Sequence, residues 1–524
     1  MTFTNDERIN EMSRSDALSI SRKDFLKLLA GGVVAATSLP WLGGAALAAA
    51  SGTLKISFRS SLVRLDPAFT VSSDEYIATQ AIYDNLTKLD ETLSPIPSLA
   101  ESWSSPDGGK TWLFKLRGDV KFHNGDPLEA EDVVFSINRV IDPDSGSPGR
   151  RALGPIVEVT APDASTVQFV LEGPSAEFPA IVSGTFARVL PRNASDKLNE
   201  APIGTGPYKF GEWVRGQHLK LTANEDYWME GSPKVQEVWL VSFPAQAAEQ
   251  AALVSGETQM MWDVPLNLVP AVSRIPDVKL IEIPSTGFQP IAMRSDRPPF
   301  DDARVRRAVK HAIDRETVMG FVLQGRGVVA QDTPVAPSSA YFAPDAKAPA
   351  YDVEQAKALL AEAGYPDGFS VQLFASNERA GCIETAQVVK PMLEAVGIKV
   401  EIQQVPWDRF NAEVWKKETL FVSNWVGRPT IDEQLYPYFH STGSWNEYNY
   451  ANPEVDELLD AARGELDAEK RKAYYAKVQE ILAVEGPAII PYFSNYATAR
   501  ADGVEGIPVS PLKWVDLRDA QLAG

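Results

Sequence analysis

Apolar positions alternate with polar ones along several short stretches of this chain and recur every three or four residues along others, and the two periods together predict a mixed α/β protein. Asp74 to Leu86 sets Ile77, Ala81, Ile82 and Leu86 on one face, which predicts a helix with one buried side. Trp112 to Leu116 alternates as a strand does, between the turn Pro106-Asp107-Gly108-Gly109 and the turn Asn124-Gly125-Asp126-Pro127. Asp126 is then expected to start a helix with Pro127 at its first position and Val133, Val134 and Ile137 inward. Thr53 to Arg59, Thr166 to Leu171, Leu219 to Ala223 and Lys234 to Val241 read as further strands, and Ala245 to Ser255 as a helix ended by Gly256. Farther on, Asp301 or Asp302 can cap a helix whose stripe is Val305, Val309, Ala312 and Ile313. A capping box from Asp352 to Gln355 opens another, which Gly364 stops before Pro366. Phe369 to Phe374 and Lys399 to Gln404 alternate around a helical Ala386 to Ala395, a βαβ unit whose right-handed crossover predicts parallel strands. Glu454 to Ala462 and Glu469 to Glu485 are two more helices, and Ile489 to Phe493 starts the final segment.

At 524 residues the chain exceeds what one core supports, so two or three lobes are expected. A net charge of -20 with no Lys/Arg cluster excludes nucleic acid as a partner. Ser21-Arg22-Lys23-Asp24-Phe25-Leu26-Lys27, the apolar run Leu28 to Leu47 and the small residues after it have the layout of a cleaved export signal over residues 1–48. The charged string is similar to a twin-arginine signal with Lys23 in the second arginine's place, and no cysteine near the cleavage site implies a lipid anchor. Only Cys382 is present, so no intramolecular disulfide is possible. His123, His218, His311 and His440 are widely spaced and no metal motif occurs. Gly325-Arg326-Gly327-Val328-Val329-Ala330 follows a helix instead of a strand, which fails the context of a dinucleotide loop. No nucleophile elbow or catalytic dyad appears, so no metal and no cofactor are expected.

Leu65 to Trp103 within the stretch Leu65 to Arg139, the turn Gly204-Thr205-Gly206-Pro207-Tyr208, the Asn224-to-Trp228 string and Pro298-Pro299-Phe300-Asp301-Asp302-Ala303-Arg304-Val305-Arg306-Arg307-Ala308 resemble the family 5 solute-binding proteins. These are the extracytoplasmic receptors of ABC importers for peptides, opines, some oligosaccharides and chelated nickel. The resemblance implies a two-lobe, type II periplasmic-binding-protein fold with an extra subdomain on the first lobe. Lobe I would comprise residues 49–86, 202–287 and 489–524, the extra subdomain 87–201 and lobe II 288–488. It further implies a monomeric periplasmic receptor that closes on a peptide-like or other small solute and hands it to permease subunits. A receptor for an opine, oligosaccharide or nickel chelate is the alternative within the class. An exported hydrolase or redox enzyme is the alternative outside it.

Asn424-Trp425-Val426-Gly427-Arg428-Pro429-Thr430-Ile431-Asp432 resembles the segment in which peptide-binding members carry a Trp, two residues, then an Asp for the peptide's α-amino group. Here the Asp position holds Arg428, which reverses the charge and predicts a ligand carboxylate or phosphate, with Trp425 covering an apolar or sugar face. Ligand contacts are therefore expected at Trp425, Val426, Gly427 and Arg428, and in the entry segment at Val71 and Ser72. The competing reading pairs Arg428 with Asp432 or Glu433 inside the protein.

Overall fold

The computed structural model describes residues 51–154, 156–194 and 197–523, so the expected export signal at 1–48 lies outside the described residues. The βαβ pattern is realised as Phe369–Ser376, the helix Cys382–Ala395 and Ile398–Val405, with the two strands parallel. They begin a five-stranded sheet that continues through Leu420–Val422, Ile291–Met293 and Ala488–Ile489. A second, eight-stranded sheet is ordered Val278–Phe288, Tyr492–Ala501, Met260–Met261, Thr53–Phe58, Glu237–Ser242, His218–Ala223 and Tyr208–Val214, with Gly327–Val329 also paired to Tyr492–Ala501.

A four-stranded antiparallel sheet, Ala100–Ser104, Thr111–Leu116, Thr166–Leu171 and Ile156–Asp163, stands apart from both. Its alternation is strict where the sequence alternates: Trp112, Phe114 and Leu116 turn inward opposite Val167, Phe169 and Leu171. Phe114 and Phe169 meet edge to face at 5.5 Å, and burying a side chain of that size contributes roughly 1.5–3 kcal/mol. Each sheet has its own apolar core, and the five-stranded sheet has one on each face.

Helix starts follow their caps. Ser72 caps Ser73–Ile82 in a capping box with Glu75, Asp302 caps Ala303–Ala312, and Asp352 accepts from the amide of Gln355 ahead of Val353–Glu362. The helix expected to begin at Asp126-Pro127 begins instead at Ala130, because Lys121 to Pro127 closes as a hairpin. The Phe122 amide bonds to Asp126 O and the Leu128 amide to Val120 O, and Glu129 with Asp132 forms the capping box.

The Gly204-to-Tyr208 turn packs on the end of the Ser73–Ile82 helix. A Cβ at Gly204 would fall 2.1 Å from Ile82 O, and one at Gly206 2.5 Å from Ile82 C, so the close approach requires glycine. Beside it, buried Asp84 accepts from Thr205 Oγ1 (3.2 Å), Tyr227 OH (3.2 Å), Trp228 Nε1 (3.0 Å) and Arg518 Nη2 (2.8 Å). One carboxylate thus ties the turn, the Asn224 loop and the carboxy-terminal segment together beside the end of the Ser73–Ile82 helix.

Candidate functional site

The chain passes from the eight-stranded to the five-stranded sheet between Phe288 and Ile291, and back between Ile489 and Tyr492. Loop 423–430 lies against the first of these passages. Trp425 and Phe288 exchange backbone hydrogen bonds of 2.9 and 3.0 Å. Gly427 sits so close to Thr286 that an added Cβ would lie 1.8 Å from Thr286 Oγ1, so only glycine lets the loop seat here.

Trp425 is held in one orientation. Its indole stacks on Trp445 (5.9 Å) and meets Tyr438 edge to face (4.7 Å), and its Nε1 donates to Glu447 Oε1 at 3.0 Å. Glu447, fully buried, also accepts from Trp415 Nε1 (2.8 Å) and Ser423 Oγ (2.9 Å). Burial pushes its carboxyl up to about 7 against the pull of these donors.

Arg428 follows on the same loop, its guanidinium 4.5 Å from the centre of the Trp445 ring. Its backbone amide donates to Gln434 Oε1 (3.0 Å), but its Nε is buried without a hydrogen-bond partner. Of the competing pairing, no close ion pair forms: among the described residues no carboxylate lies within 4 Å of Arg428, although its charge pulls the Glu433 carboxyl down against burial, which raises it to about 7. Asp432 is taken by Arg463, at 2.8 Å, while Glu433 Oε2 accepts from Thr430 Oγ1 at 3.1 Å and the Glu433 amide donates to the same hydroxyl as the helix cap. Thr430 caps the helix Ile431–Phe439, so Arg428 lies outside it, and the four-residue spacing to Asp432 never acquires helical geometry.

Two cavities flank this loop. Trp425, Val426 and Gly427 line one of 760 Å3 together with Asp263, Gln289, Tyr492 and Lys513. Arg428 lines the other, of 320 Å3, with Glu177, Tyr341 and Arg471. Val71 is exposed and the Ser72 hydroxyl is engaged in its capping box; neither lines these cavities, whereas Ser73 lines the larger. The four histidines line neither: half-buried His123, for example, bonds Gly206 O and is pushed down to about 4 by desolvation.

Sequence reasoning missed the contact that spans the smaller cavity. Glu177 Oε2 accepts the Asp432 amide at 2.9 Å, and the Ala176 amide bonds to Arg463 O at 2.8 Å, so the segment after the Thr166–Leu171 strand grips the amino terminus of the Ile431–Phe439 helix. Nothing local in Gly173-Pro174-Ser175-Ala176-Glu177 announces a partner so far along the chain. Burial, with Asp432 and Glu433 nearby, raises the Glu177 carboxyl to about 7, against the opposing pull of the Asp432 amide and Arg471. A raised folded pKa means that the stabilising contribution is complete below about 4.5 and fades as pH climbs through about 7. Glu177→Gln keeps an acceptor for the Asp432 amide and never ionises. Between pH 5 and 7.5 the wild type should therefore lose roughly 1–2 kcal/mol relative to the variant, allowing for partial exposure. Parallel thermal melts check this, and an equal gap at both pH values would refute it.

A loop fixed at the passage between two sheets, with cavities on both sides, is the geometry of a protein that closes around a solute. The family model for bacterial extracellular solute-binding proteins, family 5 Middle, matches residues 94–446, well over half of the chain. The chain belongs to that family. Among similar proteins, the glutathione-binding protein GsiB of Escherichia coli (strain K12) is 27% identical over 494 residues, covering 91% of this chain and 96% of its own. HbpA2 from Haemophilus parasuis aligns with a TM-score of 0.83 at 25% identity over 90% of this chain and 100% of its own. AgaA from A. tumefaciens R10, in complex with agropinic acid, aligns with a TM-score of 0.73 at 25% identity over 90% and 99%. As a family 5 solute-binding protein the chain has the type II two-lobe fold. The family works outside the cytoplasm, and no helix among the described residues is long and apolar enough to cross a membrane.

Proposed function

We propose that this chain is a periplasmic receptor that captures a small, acidic, peptide-like solute between its lobes and delivers it to the permease subunits of an ABC importer. The observation that carries the acidic specificity is Arg428: a cation at the cleft, seated on Trp445, with a buried Nε and, among the described residues, no carboxylate within 4 Å. A ligand carboxylate or phosphate supplies the missing acceptors, and the guanidinium can take it with two parallel bonds. Trp425, oriented by Glu447, then offers a flat apolar surface to the rest of the solute. Glutathione and agropinic acid, named with two relatives, both carry carboxylates. The relatives are named as binding proteins, and we read this chain likewise as a receptor and not an enzyme. The lobes would move about the two passages near residues 288–291 and 489–492, with 87–201 as the subdomain that carries Glu177.

A thermal-shift screen tests this reading with glutathione, other acidic peptides, opines, nickel chelates and C-terminally amidated peptides. A solute that binds only the native state adds RT ln(1 + [L]/Kd), about 2.7 kcal/mol at a hundredfold excess over Kd. Acidic members should raise the melting point and amidated ones should not. Stabilisation by the amidated peptides alone would overturn the proposal.

A further inference from the structure

Another arginine, this one buried, makes no close ion pair. Arg188 is 5% exposed, its Nη2 donates to the backbone oxygen of Tyr76 at 3.1 Å, and its Nε has no partner. Among the described residues no carboxylate lies within ion-pair distance of it. The carboxylates nearby are committed elsewhere: Asp84 to Arg518, Tyr227, Trp228 and Thr205, and Asp516 to Arg518 at 2.7 Å. Burying a guanidinium is unfavourable unless charge and hydrogen bonds compensate it, and Arg cannot shed its proton to escape. Burial and the neighbouring Arg518 bring Arg188 down to about 9 against the pull of Asp84 and Asp516, which leaves it charged at neutral pH but short of hydrogen-bond acceptors.

Arg188 lines a 250 Å3 cavity with Gln80, Asn85, Lys88 and Trp514. Four acids also border this cavity. Asp516 is paired as above, Asp90 is bound by Thr92 and Ser94 of its own turn, Asp519 accepts from Ser232, and Glu91 is exposed. The cavity adjoins the cleft on two sides: Leu93 lines both it and the cavity of Arg428, and Pro511 lines both it and the 760 Å3 cavity. Tyr76 stands between the two arginines, its backbone oxygen bound by Arg188 and its hydroxyl within the field of Arg428.

We infer that the cavity at Arg188 is a second oxyanion subsite, which takes a carboxylate or phosphate of the solute whose other acidic group meets Arg428. The transported solute then carries at least two negative charges. The link to the solute rests on the reading of Arg428 given above; the subsite itself does not.

Selenate, a tetrahedral dianion with an anomalous signal, is the probe. Crystals of the wild-type protein soaked in selenate should show a peak within hydrogen-bond distance of Arg188. In solution, selenate and acetate titrated in parallel should each change the fluorescence of the protein saturably, and the tighter of the two identifies phosphate-like or carboxylate recognition. Arg188→Gln should weaken selenate at this site at least tenfold, and Arg188→Lys less. An empty cavity at saturating selenate in wild-type crystals, or undiminished affinity in Arg188→Gln, would overturn the subsite. A peak at Arg188 with none at Arg428 would uphold the subsite while overturning the reading of Arg428.

Discussion

Asp332→Ala is expected to lower the stability of the protein by about 3–5 kcal/mol, the range for removing one partner of a buried ion pair. Asp332 is 1% exposed and neutralises two cations at once. Its Oδ2 accepts from Lys310 Nζ at 3.2 Å and from Arg315 Nη2, while Oδ1 accepts from Arg315 Nε at 3.0 Å and from the Ile490 amide at 3.1 Å. Lys310, wholly buried, also donates to Leu482 O and Ala488 O. The cluster therefore clamps residues 488–490, the start of the second passage between the sheets. Without Asp332, two cations remain in a dry site, and only one can neutralise itself. Burial already pushes Lys310 down to about 8, and Asp332 is the group that holds it up. In the variant Lys310 would lose its proton earlier than the unfolded chain does. The unfolded state then binds more protons, so the deficit should shrink as pH rises from 7 to 9. Adding Lys310→Met removes one stranded charge and should recover part of the loss, a coupling that a double-mutant cycle reads directly. Urea denaturation of the four proteins at pH 7 and 9 is the measurement. A deficit below 1 kcal/mol with no pH response would show that the cluster contributes little.

What the chain reveals before it folds is local. Alternation located Thr111–Leu116, Thr166–Leu171 and the parallel pair Phe369–Ser376 and Ile398–Val405, because a strand with one wet face leaves a period of two in its own residues. Caps did the same for Asp302 and Asp352, since the capping side chain lies within three residues of the amide it satisfies. The Pro127 error is instructive: proline suits a helix start and a tight hairpin equally, and the deciding bonds run back to Val120 and Phe122.

The site was legible only in part, for the same reason. Trp425 and Arg428 stand in a segment that could be singled out by its own residues. Glu177, Arg188 and Glu447 could not, because their significance depends on partners brought in by the topology: the Asp432 amide, the Tyr76 carbonyl and the indoles of Trp415 and Trp425. A lone Glu or Arg in sequence is ordinarily a solvated residue. Only folding shows that Arg188 and Glu447 are buried and Glu177 half-buried, and that Arg188 and Arg428 are left short of acceptors.

Arg428→Met should weaken binding of the acidic solute found by the thermal-shift screen by about 2–5 kcal/mol, the range for truncating one partner of a buried charge pair. That corresponds to roughly 30-fold to several-thousand-fold in Kd. The unliganded protein should lose little, because Arg428 makes no close ion pair among the described residues and Glu433, whose carboxyl burial already raises to about 7, can take up a proton when the field of Arg428 is lost. It forfeits the contact with the Trp445 ring, worth about 0.5–1 kcal/mol at a partly exposed site, and a methionine can cover the same ring and recover some of that. The Gln434 bond survives, since it comes from the backbone amide of residue 428. The two effects therefore separate on one pair of proteins, with calorimetry for affinity and unliganded denaturation for stability. Affinity lost with stability retained places Arg428 on the solute. Stability lost by several kcal/mol with affinity retained would instead make it an internal strut, and the acidic specificity would have to be sought elsewhere in the cleft.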